Sequence, residues 1–112
     1  MEIKGQLVAE NIVVLSPGAD SLDAGNAKAF RKAVALIIEE RSRIVLDLSA
    51  VSFVDSSGLG ALIACQRLMN TRAGELRLCS ISENVRALFE LMRMQRVFKV
   101  FDSREEALRS FS

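Results

Sequence analysis

The residues of this chain best suited to chemistry stand in one short stretch, Asp55-Ser56-Ser57, near its middle. Two hydroxyls beside a carboxylate could form a helix N-cap, a catalytic serine, or a serine that another protein modifies. The eight residues that follow, Gly58 to Cys65, are apolar throughout. The stretch therefore predicts a polar entrance to an unusually apolar helix, and the role of the serines decides the function.

Catalysis by these serines is disfavoured because the chain has no histidine. Ser-His-Asp and Cys-His arrangements and histidine-bearing zinc sites all need an imidazole. Two cysteines are too few for an all-thiolate metal site. A lysine base is also disfavoured, since Lys4, Lys28, Lys32 and Lys99 are expected on exposed faces. We therefore expect no enzyme activity, no metal and no cofactor.

The composition also argues against several classes of partner. The formal net charge is +1, and Trp and Tyr are absent, so neither charge nor aromatic platforms indicate nucleic acid. The longest apolar runs fall far short of the roughly 20 residues that cross a bilayer. No signal peptide is evident at the N-terminus, which predicts a cytoplasmic protein. Cys65 and Cys79 lie in apolar stretches and are expected to be buried free thiols.

Hydrophobic periodicity predicts one domain over residues 1–112 with the order β-β-α-β-α-β-α-β-α. The first half has predicted strands at 2–8 and 11–16 with a turn at 9–11, then a helix to Arg41 and a β-rich run in RIVLDLSAVSFV. The second half has a helix ending near Asn70, a strand in ELRLCSI, a helix in ENVRALFELMRM, a strand in VFKVFD and a C-terminal helix. Such alternation is typical of an α/β fold, with a mostly parallel central sheet and helices packed on it.

Polar residues before the predicted helices are candidate N-caps. Three residues could cap the first helix, namely Asp20, Ser21 and Asp23. Ser82 is expected to cap the third helix, whose apolar stripe is Val85, Leu88, Phe89 and Met92. Ser103 and Glu106 have the spacing of a capping box before the last helix.

A helical wheel divides the apolar helix into two sides. The side assigned to the sheet consists of Gly58, Ala61, Leu62, Cys65 and Met69. The opposite side consists of Gly60, Ile63, Ala64 and Arg67, with Leu59 at its flank. A helix on the surface would normally carry more charge there. Either another element of the chain covers this side, or it is a small docking surface for a partner.

In an open parallel sheet, loops at the carboxyl ends of the strands usually carry the function. The loop with Asp55 and Ser56 lies at that edge, and so does the end of the strand at Asp47. The loop before the first helix is expected nearby. A phosphoaspartate receiver domain centred on Asp47 is disfavoured, because the first strand lacks the paired acids that should end it.

The segment VSFVDSSGLGALI closely resembles the signature of the STAS-domain anti-sigma-factor antagonists, and the similarity covers nearly the whole chain. The resemblance implies a protein-binding module controlled by phosphorylation. Its partners would be an anti-sigma factor that is a serine kinase and a PP2C-type phosphatase. Unphosphorylated, the chain would bind the kinase and so free a sigma factor.

The resemblance also implies roles for individual residues. Ser56, directly after the aspartate, would be phosphorylated, and Ser57 would be the neighbouring hydroxyl and the helix cap. The family usually has a Gly-x-Leu-Asp run before the first helix, but here two extra residues separate Gly18 from Leu22. Asp23 is the match, although Asp20 could take that place. The implied partner-binding residues are Asp20, Ser21, Asp23, Asp55, Ser56, Ser57, Gly58, Leu59, Gly60, Ile63 and Arg67.

An alternative from another class remains open. The chain could be a constitutive STAS-domain subunit of a lipid-transport or signalling complex. Ser56 and Ser57 would then serve only at the helix entrance.

Overall fold

The computed structural model describes residues 1–9 and 11–111. The strands are Ile3–Ala9 (β1), Ile12–Pro17 (β2), Ser21–Leu22 (β3), Arg43–Asp47 (β4), Phe53–Val54 (β5), Glu75–Cys79 (β6) and Lys99–Phe101 (β7). The helices are Ala27–Ile37 (α1), Ser56–Thr71 (α2), Glu83–Leu91 (α3) and Arg104–Arg109 (α4), with short 3-10 turns at Ile38–Glu40 and Met94–Arg96. The turn predicted at 9–11 includes Glu10, which lies outside the described residues.

Five strands form the main sheet in the order β1-β2-β4-β6-β7. β1 runs antiparallel to β2, and the other neighbouring strands are parallel. The prediction of a mostly parallel sheet in an α/β fold is therefore confirmed. The prediction missed β3, and the single β-rich run predicted from Arg43 to Val54 is two strands, β4 and β5. β3 and β5 form a separate parallel pair.

Alternation along the strands sends side chains to the two faces of the main sheet. Ile44 and Leu46 belong to the larger core, which also contains side chains of α1, α2 and α3. Val45 and Cys79 face the other way and pack with Ala107 of α4 in a smaller cluster. Three helices thus cover one face, and α4 covers the second.

An ion pair attaches α4 to the end of β4. The Nη2 and Nε atoms of Arg104 donate to Asp47 Oδ2 at 2.8 and 3.2 Å, and the same guanidinium reaches Gln6 and Ser16. Burial would raise the pKa of Asp47, but Arg104 and the N–H and hydroxyl of Ser49 outweigh it and lower that pKa. Asp47 is therefore charged and holds α4 in place.

The capping predictions for the later helices are confirmed. Ser82 Oγ accepts from the N–H of Val85 at 3.2 Å, and Ser103 Oγ accepts from that of Glu106 at 3.1 Å. The apolar stripe of α3 is shorter than predicted, because the helix ends at Leu91 and leaves Met92 50% exposed.

The two cysteines are free and buried, as predicted. Burial raises the pKa of each thiol to about 11. Along the described chain, no helix has both the length and the apolar character needed to cross a membrane.

Candidate functional site

The candidate site is built where β3 and β5 pair. In their parallel register Ser21 lies beside Phe53 and Leu22 beside Val54. Asp23 and Asp55 directly follow these strands, and the N–H of Asp55 donates to the carbonyl of Leu22 at 3.1 Å. Asp20 lies further back, where its carbonyl accepts from the N–H groups of Ser52 and Phe53. The small sheet therefore brings the loop before α1 against the serine loop.

Asp55 ties the two loops together through both carboxylate oxygens. Its Oδ1 accepts from the N–H of Gly58 at 2.9 Å, and its Oδ2 accepts from the N–H of Ala24 at 3.1 Å. Asp55 is thus the N-cap of α2. The prediction that Ser57 caps the helix is wrong, because α2 begins two residues earlier than that role requires.

The serines stand in the first turn of α2, at its first and second positions, and both are exposed. Ser56 is therefore open to an approaching enzyme, as the phosphorylation hypothesis requires. The backbone N–H groups and the helix dipole make this end of α2 tolerant of a negative group. A phosphate there could be added without displacing packed atoms.

Gly58 lets α2 lie directly on the small sheet. A Cβ added at this position would sit 2.0 Å from the carbonyl oxygen of Leu22. Gly58 is buried, and the neighbouring Leu59 is only 5% exposed and belongs to the larger core. Gly58 and Leu59, which the resemblance implies for partner binding, are thus buried in the free chain and support the loop from below.

The carboxylate of Asp23 is also held in place. Ser21 Oγ donates to its Oδ2 at 2.7 Å, and the N–H of Gly25 donates to its Oδ1 at 2.9 Å. These hydrogen bonds, that from Ser21 first, lower the pKa of Asp23. The site thus presents a fixed, charged acid beside the serine loop.

None of the three predicted caps of α1 occupies the N-cap position. That position belongs to Asn26, whose side chain makes no capping bond. Asn26 instead accepts from the N–H of Asp23 and donates to the carbonyl of Ser21. The main-chain carbonyl of Asp20, the carboxylate of Asp23 and the hydroxyl of Ser21 shape the loop, and α1 begins only after it.

The two sides of α2 are largely as predicted. The five residues assigned to the sheet are all buried. On the other side Gly60 and Arg67 are exposed, whereas Ile63 and Ala64 are half-buried and Ile63 packs against the core. The outer side is therefore partly covered within the chain and partly open.

The fold and sequence match known proteins. A family model described as the STAS domain matches residues 7–107. The chain belongs to the STAS domain family. BtrV of Bordetella bronchiseptica, a candidate anti-sigma factor antagonist, is 32% identical over 111 residues, which are 98% of this chain and 90% of BtrV.

Two solved STAS structures are close in fold. The crystal structure of a candidate anti-sigma factor antagonist of Thermotoga maritima has a TM-score of 0.87 and 27% identity, covering 96% of this chain and 92% of that one. The Bacillus cell fate determinant SpoIIAA in its phosphorylated form has a TM-score of 0.72 and 22% identity, covering 99% of this chain and 100% of that one. The second likeness is one of fold.

The STAS domain also presents residues that the sequence reasoning did not include in the site. Phe53 on β5 is 55% exposed, three residues before Ser56. The alternation in VSFV could have indicated this exposure, because Phe53 and the buried Val54 point to opposite sides of the strand.

Lys28, Arg31 and Lys32 form an exposed row on α1. Their spacing of three and four residues could have indicated a single basic face.

Proposed function

We propose that this STAS domain is an anti-sigma factor antagonist controlled by phosphorylation of Ser56. It acts by binding, without catalysis of its own, in the cytoplasm. The unphosphorylated chain binds an anti-sigma factor that is a serine kinase, and this frees a sigma factor. Phosphorylation ends the binding, and a PP2C-type phosphatase restores it.

The observation that carries the proposal is the exposed Ser56 hydroxyl on a loop held from both sides. Asp55 fixes the loop to α2 and to the loop before α1, and Gly58 lets it rest on β3. A loop held in this way can change its charge without changing its shape. Phosphorylation would add about −1.5 to −2 charges at an unchanged docking surface.

Electrostatics of this size are sufficient for a switch. Repulsion between one added charge and a partner carboxylate about 6 Å away would weaken the binding free energy by about 3 kcal/mol at an effective dielectric constant of about 20. A doubly charged phosphate would cost about 6 kcal/mol, or on the order of 10⁴-fold in affinity before screening by salt. Release of the partner then needs no change of fold.

The test uses the full chain and the kinase that is captured with it from its native lysate. Ser56→Asp should weaken binding by about 100-fold, the effect of one charge. Ser42→Asp is the matched control, because Ser42 is exposed immediately before β4, at the end of that strand away from the serine loop. Ser56→Ala should bind but accept no phosphate, whereas Ser57→Ala should still be phosphorylated. Phosphorylation of Ser56→Ala, or equal binding by Ser56→Asp and wild type, would refute the proposal.

A second comparison assigns the acid that helps the kinase contact. Asp23→Asn should weaken kinase binding, because its carboxylate lies beside the serine loop. Asp20→Asn should bind like wild type, because the small sheet uses only its carbonyl. The reverse result would make Asp20 the family aspartate. Phosphopeptide mass spectrometry of the native protein, with and without the phosphatase, distinguishes the switch from a constitutive subunit.

A further inference from the structure

An open groove of about 810 Å³ runs between α1 and α2. It begins at Ser57, beside the proposed phosphorylation site, and continues along α2 to Leu68. These residues are eleven positions apart, or about 16 Å along a helix. The groove is thus long enough to hold about three turns of another helix.

The charge of the groove has one sign. Lys28, Arg31 and Lys32 form its α1 side, and no Asp or Glu is among the described residues that line it. Nor is any of the three in an ion pair with another described residue. A chain whose net charge is only +1 therefore concentrates three available cations along one groove.

The α2 side of the groove is small and apolar. Gly60, Ala61 and Ala64 line it, and a Cβ added at Gly60 would meet nothing within 4 Å. Small residues allow the backbone of a partner to approach closely, and the exposed ends of Lys and Arg can then reach acids at its edge. The two sides together fit a helix with an apolar stripe beside a row of carboxylates.

We propose that this basic groove, defined by Lys28, Arg31, Lys32, Gly60, Ala61 and Ala64, binds an acidic amphipathic helix of the anti-sigma factor. The inference rests on the proposed function and adds a second contact to it. Because Ser57 lines the end of the groove next to Ser56, a partner bound over Ser56 can extend directly into the groove. A phosphate on Ser56 would then place negative charge at the entrance and repel the acidic helix.

Two variants test the groove through its charge and its shape. The triple variant Lys28→Glu/Arg31→Glu/Lys32→Glu reverses the cations, and all three positions are exposed, so the fold should be kept. Gly60→Leu adds an apolar side chain to the groove at a position where an added Cβ meets nothing within 4 Å. Each should weaken binding of the captured anti-sigma factor by at least about tenfold, the expected scale for several exposed ion pairs or a blocked apolar contact.

The matched control reverses three exposed cations elsewhere, as Arg93→Glu/Arg96→Glu/Lys99→Glu. It should bind like wild type once the salt concentration is physiological. Circular dichroism melts should show that all variants are folded. In a ¹⁵N-labelled wild-type chain, the amides of Lys28 and Ala64 should shift when the anti-sigma factor is added.

The possible failures differ from one another. If both groove variants bind like wild type while Ser56→Asp does not, the groove proposal is wrong and the proposed function stands. If the wild type binds no anti-sigma factor, both are overturned. Sedimentation and binding assays with random-sequence DNA and phosphatidylglycerol vesicles test other occupants. Self-association, DNA binding or vesicle binding that the triple reversal abolishes would show that the groove serves a different ligand, and the proposal would fall.

Discussion

The contact between Gly58 and β3 can be tested by adding one methyl group. Gly58→Ala would place a Cβ 2.0 Å from the Leu22 oxygen and 2.5 Å from its carbonyl carbon. Observed Cβ contacts are essentially never shorter than 3.0 Å, so α2 and β3 must separate by about 1 Å. We therefore expect this substitution to open the small sheet under the serine loop.

The magnitude follows from opposing terms. Overpacking costs about 1–3 kcal/mol. The separation also weakens the hydrogen bond from the Asp55 N–H to the Leu22 carbonyl and the one from Ala24 to Asp55, about 1 kcal/mol each. Replacing Gly by Ala in a helix returns up to about 1 kcal/mol. The net loss in the free energy of unfolding is about 2–4 kcal/mol.

Gly60→Ala is the matched control in the same helix. Nothing lies within 4 Å of its added Cβ, so this variant should gain about 0.5–1 kcal/mol. Thermal unfolding should therefore give a Tm lower by roughly 8–16 °C for Gly58→Ala and slightly higher for Gly60→Ala. Should Gly58→Ala melt at or above Gly60→Ala, the close approach of α2 to β3 would be refuted.

Three further outcomes are expected. Asp55→Ala should lower the unfolding free energy by about 1–2 kcal/mol in urea titrations, because the helix cap and the hydrogen bond to the loop before α1 are both lost. Asp47→Asn should lower the free energy of unfolding by about 1–2 kcal/mol at neutral pH and by less at about pH 3. The loss is no larger because Arg104 is partly exposed and solvent screens the ion pair. Cys65 and Cys79 should react slowly with a thiol reagent at about pH 8 in the folded chain and rapidly in denaturant.

The acid dependence of the Asp47 pair has a definite sign. Because the folded chain lowers the pKa of Asp47, the pair stabilises the protein above the unfolded pKa of about 3.9 and is lost as the pH falls below it. The thiols have the opposite sign: pKa values raised to about 11 reduce stability as the pH rises beyond about 9. The assignments would be contradicted if wild type and Asp47→Asn lost stability equally as the pH falls, or if the thiols of the folded chain were labelled rapidly.

Much of the fold could be predicted because its signals are local. Strands β2 and β4 contain apolar runs, and the first four residues of β6 alternate charged and apolar. Ser82 and Ser103 cap helices within three residues of themselves. The small sheet could not be predicted in this way. Two-residue strands have no periodicity, and β3 meets β5 across some 30 residues of chain.

The errors at the site have related physical causes. Asp55, Ser56 and Ser57 are all good N-cap residues, so local preference could not fix the first residue of α2. Asp55 caps it because the carboxylate also reaches Ala24, a partner distant in sequence. Leu59 was placed at a flank by the wheel, but it is buried in the larger core, which extends to Leu22 of β3 and Val54 of β5. The basic groove likewise exists only because α1 lies beside α2.

The long edge strand β1 affects how unstable variants should be handled. In the described part of the sheet, β1 pairs only with β2, and Leu7 on it is 56% exposed. A row of main-chain donors and acceptors on such an edge is a template to which another extended chain can add. Variants that loosen the domain should therefore aggregate through this edge in concentrated stocks, and dilute solutions are the appropriate place to compare their melting curves.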